Sequence, residues 1–130
     1  MARPPGGWLM PGKPLILLVG NNRANLNLLS QQMRKEGYEP VSVTSLEEFD
    51  KVLSEQPKPS LSLMDLSGFD QRIWARCEQL RKERVPFILI SPQRSPTVQR
   101  DSMKYGASGL LVKPVGVQAL VEYVHTLLGD

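Results

Sequence analysis

Cysteine is nearly absent from this 130-residue chain: Cys77 is the only one, which excludes an internal disulfide. A chain without disulfides fits a reducing compartment. Long apolar runs are also missing, since none approaches the ~20 residues that a transmembrane helix needs. The first residues include prolines and glycines where a signal peptide would have its apolar core. We therefore expect a cytoplasmic protein without a membrane span.

Common catalytic and cofactor motifs are missing as well. The sequence contains none of the patterns GxGxxG, GxxxxGK[ST] and GxSxG, which mark dinucleotide sites, phosphate-binding loops and hydrolase nucleophiles. His125 is the only histidine, and zinc-type sites need several His or Cys ligands at defined spacings. We therefore do not expect an enzyme, a nucleotide-binding protein or a carrier of an organic cofactor.

The charge balance is mildly basic, with a formal net charge of +3. Several basic residues fall in one predicted helix and the turn after it: Arg72, Arg76, Arg81, Lys82 and Arg84. Such a cluster fits a surface for nucleic acid or for an acidic partner, and it equally fits a solvated helix face. Aromatic residues for base stacking are not interleaved with these charges. We therefore favour the solvated face and expect no nucleic-acid binding by this chain alone.

The sequence divides into a tail and one domain. Residues 1–13 are rich in proline and glycine, and such a segment cannot bury enough apolar surface to become ordered. We expect a flexible tail there; whether Trp8, Leu9 and Met10 dock onto a surface is left open. Residues 14–130 have the size of a single domain.

Two hydrophobic periods alternate along this domain. Continuous apolar runs, typical of strands buried on both faces, occupy residues 15–19, 61–65, 87–91 and 109–112, with a shorter candidate at 41–43. Between them, apolar residues recur at the spacing of amphipathic helices. Five β–α units of this kind predict a parallel sheet with helices on both faces and right-handed crossovers.

The starts of three helices are marked by capping residues. Ser45 and Glu48 have the spacing of a capping box. Asp70 is the expected cap of the third helix. Ser95 before Pro96 predicts an N-cap followed by proline at the first helical position.

Polar residues stand at the carboxyl ends of the predicted strands. Asp65 and Ser91 end two of the apolar runs, and Lys113 directly follows a third. The first run is followed by Gly20 and Asn21. In open α/β sheets the active crevice lies at the carboxyl ends of the strands. The carboxylate, the hydroxyl and the ammonium group are therefore the candidate functional groups.

These features together resemble the receiver domain of two-component response regulators. The similarity covers residues 15–128 and is closest over Val85–Ser91 and Tyr105–Pro114, with Ala24–Leu26 adding to it. The resemblance implies the flavodoxin-like, or CheY-like, member of the α/β class. This fold is a doubly wound five-stranded parallel sheet of order 2-1-3-4-5, with helices on both faces.

The resemblance also implies roles for the residues of the crevice. Asp65 matches the aspartate that accepts a phosphoryl group from a histidine phosphodonor. Lys113, expected to precede a cis bond to Pro114, matches the lysine that contacts this aspartate and then the phosphoryl group. Ser91 matches the hydroxyl residue that bonds a phosphoryl oxygen. Leu110 occupies the switch position, where receivers often carry an aromatic residue.

The acidic pair of receivers is missing from this sequence. Gly20 and Asn21 stand where two acids hold Mg²⁺ together with the phosphoacceptor, and the loop after Asp65 is shorter than in most receivers. Mg²⁺ prefers anionic oxygen ligands, and Lys113 balances the charge of Asp65. We therefore expect no cofactor beyond weakly held Mg²⁺, for which Asp65, Asn21 and the Ser67 backbone oxygen are the candidate ligands. Asn21 and its neighbour Asn22 either bond Lys113 or the loop, or simply favour the turn.

The leading hypothesis is an atypical two-component response regulator receiver domain, a pseudo-receiver that signals by protein–protein interaction. In it, Mg²⁺-dependent aspartyl phosphorylation is impaired or absent. The alternative is a competent phosphoacceptor in a phosphorelay, which catalyses its own phosphorylation on Asp65. Expected partners are a histidine kinase, a phosphotransfer protein or a downstream effector. A homodimer through the last helices and strand is a further candidate, and Tyr105, Val115 and Val117 lie near that face.

Overall fold

Five strands and five helices alternate along the chain in the computed structural model, which describes residues 12–129. The strands are β1 (Leu15–Val19), β2 (Glu39–Val43), β3 (Leu61–Asp65), β4 (Phe87–Ser91) and β5 (Gly109–Val112). The helices are α1 (Arg23–Lys35), α2 (Leu46–Ser54), α3 (Arg72–Lys82), α4 (Pro96–Lys104) and α5 (Val117–Leu128). Of the expected tail, only Gly12 and Lys13 are described, and both are exposed; Trp8, Leu9 and Met10 lie outside the described residues.

All five strands pair in one parallel sheet of order β2-β1-β3-β4-β5. The predicted fold class and strand order are confirmed. The register places Val19 beside both Val43 and Met64, and Asp65 beside Ile90. The carboxyl ends of the three central strands therefore lie next to one another, which is the geometry that a crevice at this edge requires.

The core has two layers because the side chains of each strand alternate between the two faces of the sheet. Leu17 and Phe87 belong to a cluster that α2, α3 and α4 cover. Ile16, Leu18 and Ile88 belong to a second cluster, which α1 and α5 cover. Helices therefore lie on both faces, as predicted. Within residues 12–129, none of the helices combines the length and the apolarity that crossing a membrane requires.

Strand β2 begins two positions earlier than the sequence predicted, at Glu39. It includes Pro40, which has no N–H to donate to a sheet. Strand β2 lies at the edge of the sheet and pairs only with β1. An edge strand tolerates proline because it does not have to donate hydrogen bonds to neighbours on both sides. The sequence pattern stopped at Val41 because proline usually argues against a strand.

The three predicted helix caps are confirmed. The Ser45 hydroxyl accepts a bond of 3.1 Å from the Glu48 amide, and the Ser95 hydroxyl accepts one of 3.2 Å from the Val98 amide. The Asp70 carboxylate accepts a bond of 2.9 Å from the Arg72 amide and so caps the start of α3. Gln71, between the two, already has helical dihedral angles, so the helical geometry begins directly after Asp70.

Helix α5 is tied to the first β–α unit by a hydrogen-bonded histidine. His125 Nδ1 lies 2.8 Å from the hydroxyl of Tyr38, which is 1% exposed, and His125 Nε2 lies 2.9 Å from Glu36 Oε1. The sequence pattern marked His125 only as a residue beside an apolar stripe. The contact joins residues far apart in the chain, and no local spacing reveals it.

Candidate functional site

Asp65 lies at the carboxyl end of β3, in the middle of the sheet, and its carboxylate has two partners. Its Oδ2 forms a 2.8 Å ion pair with Lys113 Nζ, and its Oδ1 accepts a 2.9 Å bond from the Ser67 amide. Lys113 also donates to the Ser67 hydroxyl at 3.2 Å. Both oxygens of Asp65 are thus occupied by residues of this chain. Ser67, a candidate ligand through its carbonyl, reaches the site through its amide and its hydroxyl.

Lys113 is brought to Asp65 by the way β5 ends. Its amide donates to the Ser91 carbonyl at 3.0 Å, which continues the pairing of β4 with β5 by one residue. The Lys113–Pro114 bond is cis, as the resemblance implied. The side chains of Lys113 and Asp65 are 36% and 21% exposed, so water reaches the pair from one side.

A cleft of about 350 Å³ opens beside this pair, between the start of α1 and the start of α5. Its polar lining includes Asp65, Lys113 and Asn22, and much of its apolar lining comes from the two helices. Val115 and Val117, expected near a partner-binding face, line this cleft as well. Tyr105, expected near the same face, instead stacks on Trp74 of α3, with ring centroids 5.4 Å apart.

Gly20 and Asn21 occupy the positions of the missing acids in different ways. Gly20 is buried, and a Cβ atom built on it would lie 3.4 Å from Leu26 and 3.6 Å from Asp65. The side chain of Asn21 lies against the loop after β3. A Cβ atom on Gly68 would lie only 1.8 Å from Asn21 Nδ2. The Asn21 amide therefore packs directly on Gly68, and Gly20 contributes backbone alone.

Asn22 has a structural role that the sequence analysis left open. Its side chain accepts a 3.0 Å bond from the Asn25 amide and so caps the start of α1. Asparagine at this position satisfies one of the free amides at a helix start. The spacing of Asn22 to the first apolar residue of the helix could have revealed this cap.

Ser91 and Leu110 lie beside a different cavity from the one that Asp65 lines. Ser91 is 2% exposed, and its hydroxyl donates to the Gln93 carbonyl at 2.6 Å. Both residues line a hollow of about 320 Å³ between α4 and β5. The structure thus brings Asp65, Lys113 and Ser67 together and directs the Ser91 hydroxyl into its own loop. Contact of Ser91 with a phosphoryl group stays a prediction.

We expect the Asp65→Ala variant to be less stable than the parent protein, by about 1 kcal/mol in the free energy of unfolding. The substitution removes the ion-pair partner of Lys113 while leaving its ammonium half-buried. The measurement is urea unfolding of Asp65→Ala, Lys113→Ala and the double variant, whose cycle isolates the pair. In a site with three acids, removing one relieves repulsion. A rise in melting temperature for Asp65→Ala would therefore contradict the balanced pair.

Comparison with known proteins gives a consistent result over most of the chain. The family model of the response regulator receiver domain matches residues 16–125. The sensory transduction protein BceR of Halalkalibacterium halodurans is 28% identical over 87% of this chain. The chain spans about half of that relative, 49% of its length. The two-component response regulator ORR3 of Oryza sativa is 27% identical, over 79% of this chain and 82% of its own length.

Solved structures share the same architecture. The CheY-like receiver domain protein of Methanospirillum hungatei superposes with a TM-score of 0.80 at 26% identity, covering 91% of this chain and 95% of its own. An orphan response regulator of H. pylori gives 0.79 at 16% identity, covering 91% and 99%; this likeness concerns the fold alone. Because the family match extends over nearly the whole domain and agrees with the observed sheet order, this chain belongs to the response regulator receiver domain family.

Proposed function

We propose that this domain is an atypical receiver, which acts through protein–protein contacts without Mg²⁺-dependent phosphorylation of Asp65. Its partners by this proposal are a histidine kinase, a phosphotransfer protein or a downstream effector. The observation that carries the proposal is that both carboxylate oxygens of Asp65 already have bonding partners within this chain. Among residues 12–129, the Asp65 carboxylate is the single acidic group lining the cleft, and Lys113 and the Ser67 amide already bind its two oxygens.

The set of donors around Asp65 does not fit Mg²⁺. This ion demands near-octahedral oxygen ligands and gives up water reluctantly, so sites for it depend on carboxylates. Within residues 12–129, no group of three or more His, Cys, Asp or Glu residues is placed to hold a metal. The Lys113 ammonium 2.8 Å from Asp65 cancels the charge that would attract a cation. Transfer of a phosphoryl group depends heavily on metal neutralisation.

The position of Asn21 supports the same proposal. An amide oxygen at this position is the obvious neutral substitute for a missing acid, but the Asn21 amide packs on Gly68. Gly20 has no side chain to contribute. Neither altered position supplies a second carboxylate beside Asp65, which suits a domain that acts by protein contact.

A competent phosphoacceptor remains the second candidate, and one observation favours it. The Asp65 side chain is 21% exposed and lies at the edge of an open cleft beside Lys113. A phosphodonor could reach this carboxylate from solvent. The domain would then catalyse its own phosphorylation, with Lys113 stabilising the charge on the phosphoryl group.

A ¹⁵N NMR titration separates the two functions. We expect no localised shifts on adding Mg²⁺ at concentrations on the order of millimolar, because one neutralised carboxylate binds this ion too weakly. Beryllofluoride, a mimic of the aspartyl phosphate, is then added in the presence of Mg²⁺ and should also leave the spectrum unchanged. The control is Asp65→Asn, which keeps the size of the side chain and removes its charge. Shifts at Asn21, Asp65 and Lys113 that disappear in this variant would establish the phosphoacceptor instead.

A further inference from the structure

Four exposed cations lie together at the end of the domain opposite Asp65. Arg81, Lys82 and Arg84 stand at the carboxyl end of α3, and Lys104 is the last residue of α4. The side chain of Arg81 reaches across to the turn after α4, where its Cδ would lie 3.2 Å from a Cβ atom on Gly106. We infer that this basic end is a docking surface for an Asp/Glu-rich segment of a partner protein.

Arg84 carries the inference because its backbone conformation is unusual for an arginine. Helices α1, α3 and α4 end in the same way, with paired amide-to-carbonyl bonds such as Gly37 to Arg34 and Tyr38 to Met33. This ending needs a residue in the left-handed region, which glycine adopts without strain. Gly37 and Gly106 fill that position after α1 and α4, with φ of 92° and 83°. After α3 the position is filled by Arg84, with φ of 60°.

An arginine in this conformation lowers stability relative to glycine. The contacts of the described residues also show no stabilising interaction of the Arg84 guanidinium. Within residues 12–129, the ion pairs do not include Arg81, Lys82, Arg84 or Lys104. Strained residues persist where their side chains serve a function. A binding role for the Arg84 side chain accounts for its presence at a position that suits glycine.

Glu83, the acidic residue among positions 81–84, is already neutralised. Glu83 lies between Lys82 and Arg84 in sequence, but its carboxylate forms a 2.9 Å ion pair with Lys58 and accepts a 2.7 Å bond from Gln79. Its bonding to Lys58 lowers the pKa of Glu83. Glu83 therefore stays ionised and paired, and the surface keeps the positive charge of its four cations. The planar guanidinium group of arginine can donate two parallel hydrogen bonds to one carboxylate.

The surroundings favour an acidic protein segment over a nucleic acid. A surface for single strands uses free aromatic faces for stacking. Tyr105, the ring next to Lys104, has Trp74 stacked on it at 5.4 Å and the Lys104 ammonium 5.5 Å from its centroid. A nucleic-acid surface also needs a long basic track, whereas this cluster is compact. The surface lies opposite the cleft because α3 and α4 run back along the sheet.

The test is a ¹⁵N NMR titration with a synthetic Asp/Glu-rich peptide and, in parallel, with an Asn/Gln peptide of the same length. We expect shifts at residues 81–84 and 104–106 with the acidic peptide alone. In Arg84→Gly the peptide affinity should fall about threefold to fivefold, because an exposed charge pair is lost. The same variant should melt about 2 °C higher, because glycine relieves the backbone. Since this variant is stabilised, weaker binding cannot come from misfolding.

A matched pair of charge reversals completes the test. Lys104→Glu should weaken peptide binding, whereas Lys35→Glu, at the equivalent last position of α1, should leave it unchanged. Equal losses in both variants would show a response to net charge and would overturn the inference. So would Arg84→Gly binding the peptide as well as the parent protein. Duplex DNA producing the same shifts at lower concentration than the peptide would overturn the choice of an acidic protein segment.

Discussion

Strong magnesium binding is expected to appear when Gly20 and Asn21 are both replaced by aspartate. The double variant G20D/N21D would add two carboxylates at the end of β1, beside the cleft in which Lys113 balances the charge of Asp65. Space for the first is present, since a Cβ atom on Gly20 meets Leu26 and Asp65 only at ordinary distances of 3.4 and 3.6 Å. Two added charges near a divalent cation should raise its affinity about 100-fold or more.

Calorimetric titration with Mg²⁺ measures this gain, and G20N serves as the matched control. Asparagine adds the bulk of the new side chain at position 20 without its charge, and Asn21 is retained. Without metal, the double variant should melt at a lower temperature than the parent because its carboxylates repel one another. Added Mg²⁺ should reverse that loss, since a ligand of the folded state stabilises it. Equal affinities for G20N and G20D/N21D would contradict this account of the missing acids.

Replacing Gly68 by alanine is expected to cost about 1–3 kcal/mol of unfolding free energy. Gly68 has a φ of 82°, a region that side chains disfavour, and a Cβ atom there would lie 1.8 Å from Asn21 Nδ2. The substitution must therefore strain the backbone and displace the Asn21 amide at the same time. Chemical denaturation of the variant and the parent measures the sum of the two effects.

Gly37 separates the two contributions. It has a φ of 92°, but a Cβ atom there would meet nothing within 4 Å, so Gly37→Ala reports the backbone cost alone. We expect Gly68→Ala to lose more than Gly37→Ala, and Asn21→Ala to remove most of the difference when combined with Gly68→Ala. Gly68→Ala and Gly37→Ala are first compared in the protein that retains Asn21. If they lower the free energy of unfolding equally there, the packing of Asn21 on Gly68 does not occur in solution.

Strand positions were predictable from the sequence because a parallel strand that is buried on both faces is a continuous run of apolar residues. Runs such as Leu61–Asp65 and Phe87–Ser91 are apolar on both faces, which few other structures require. The caps at Ser45 and Ser95 were predictable because their spacing is local. The order of the strands was predicted from the family resemblance. The spacing of apolar residues identifies strands and helices, but it does not show which strands are neighbours in the sheet. Asp65 and Lys113 followed from strand ends and the same resemblance.

The remaining features depend on contacts between distant residues. Asn21 against Gly68 and Tyr38 with His125 join segments that no spacing rule connects. The Ser91 hydroxyl could point to the cleft or to its own loop, and it donates a hydrogen bond to the Gln93 carbonyl, 2.6 Å away. The position of a strand can thus be predicted from the sequence, whereas the direction of a side chain at its end has to be read from the structure.

The two faces of the core also differ in when a growing polypeptide can complete them. The face under α2, α3 and α4 uses residues made before α5. The other face needs Val121 and Val124, and it is fastened by a bond from His125 to a tyrosine 87 positions earlier. During synthesis, therefore, α1 can cover this face early, but the part that α5 covers stays exposed until nearly the whole domain has left the ribosome. Chaperones that recognise nascent apolar segments would find their binding sites there.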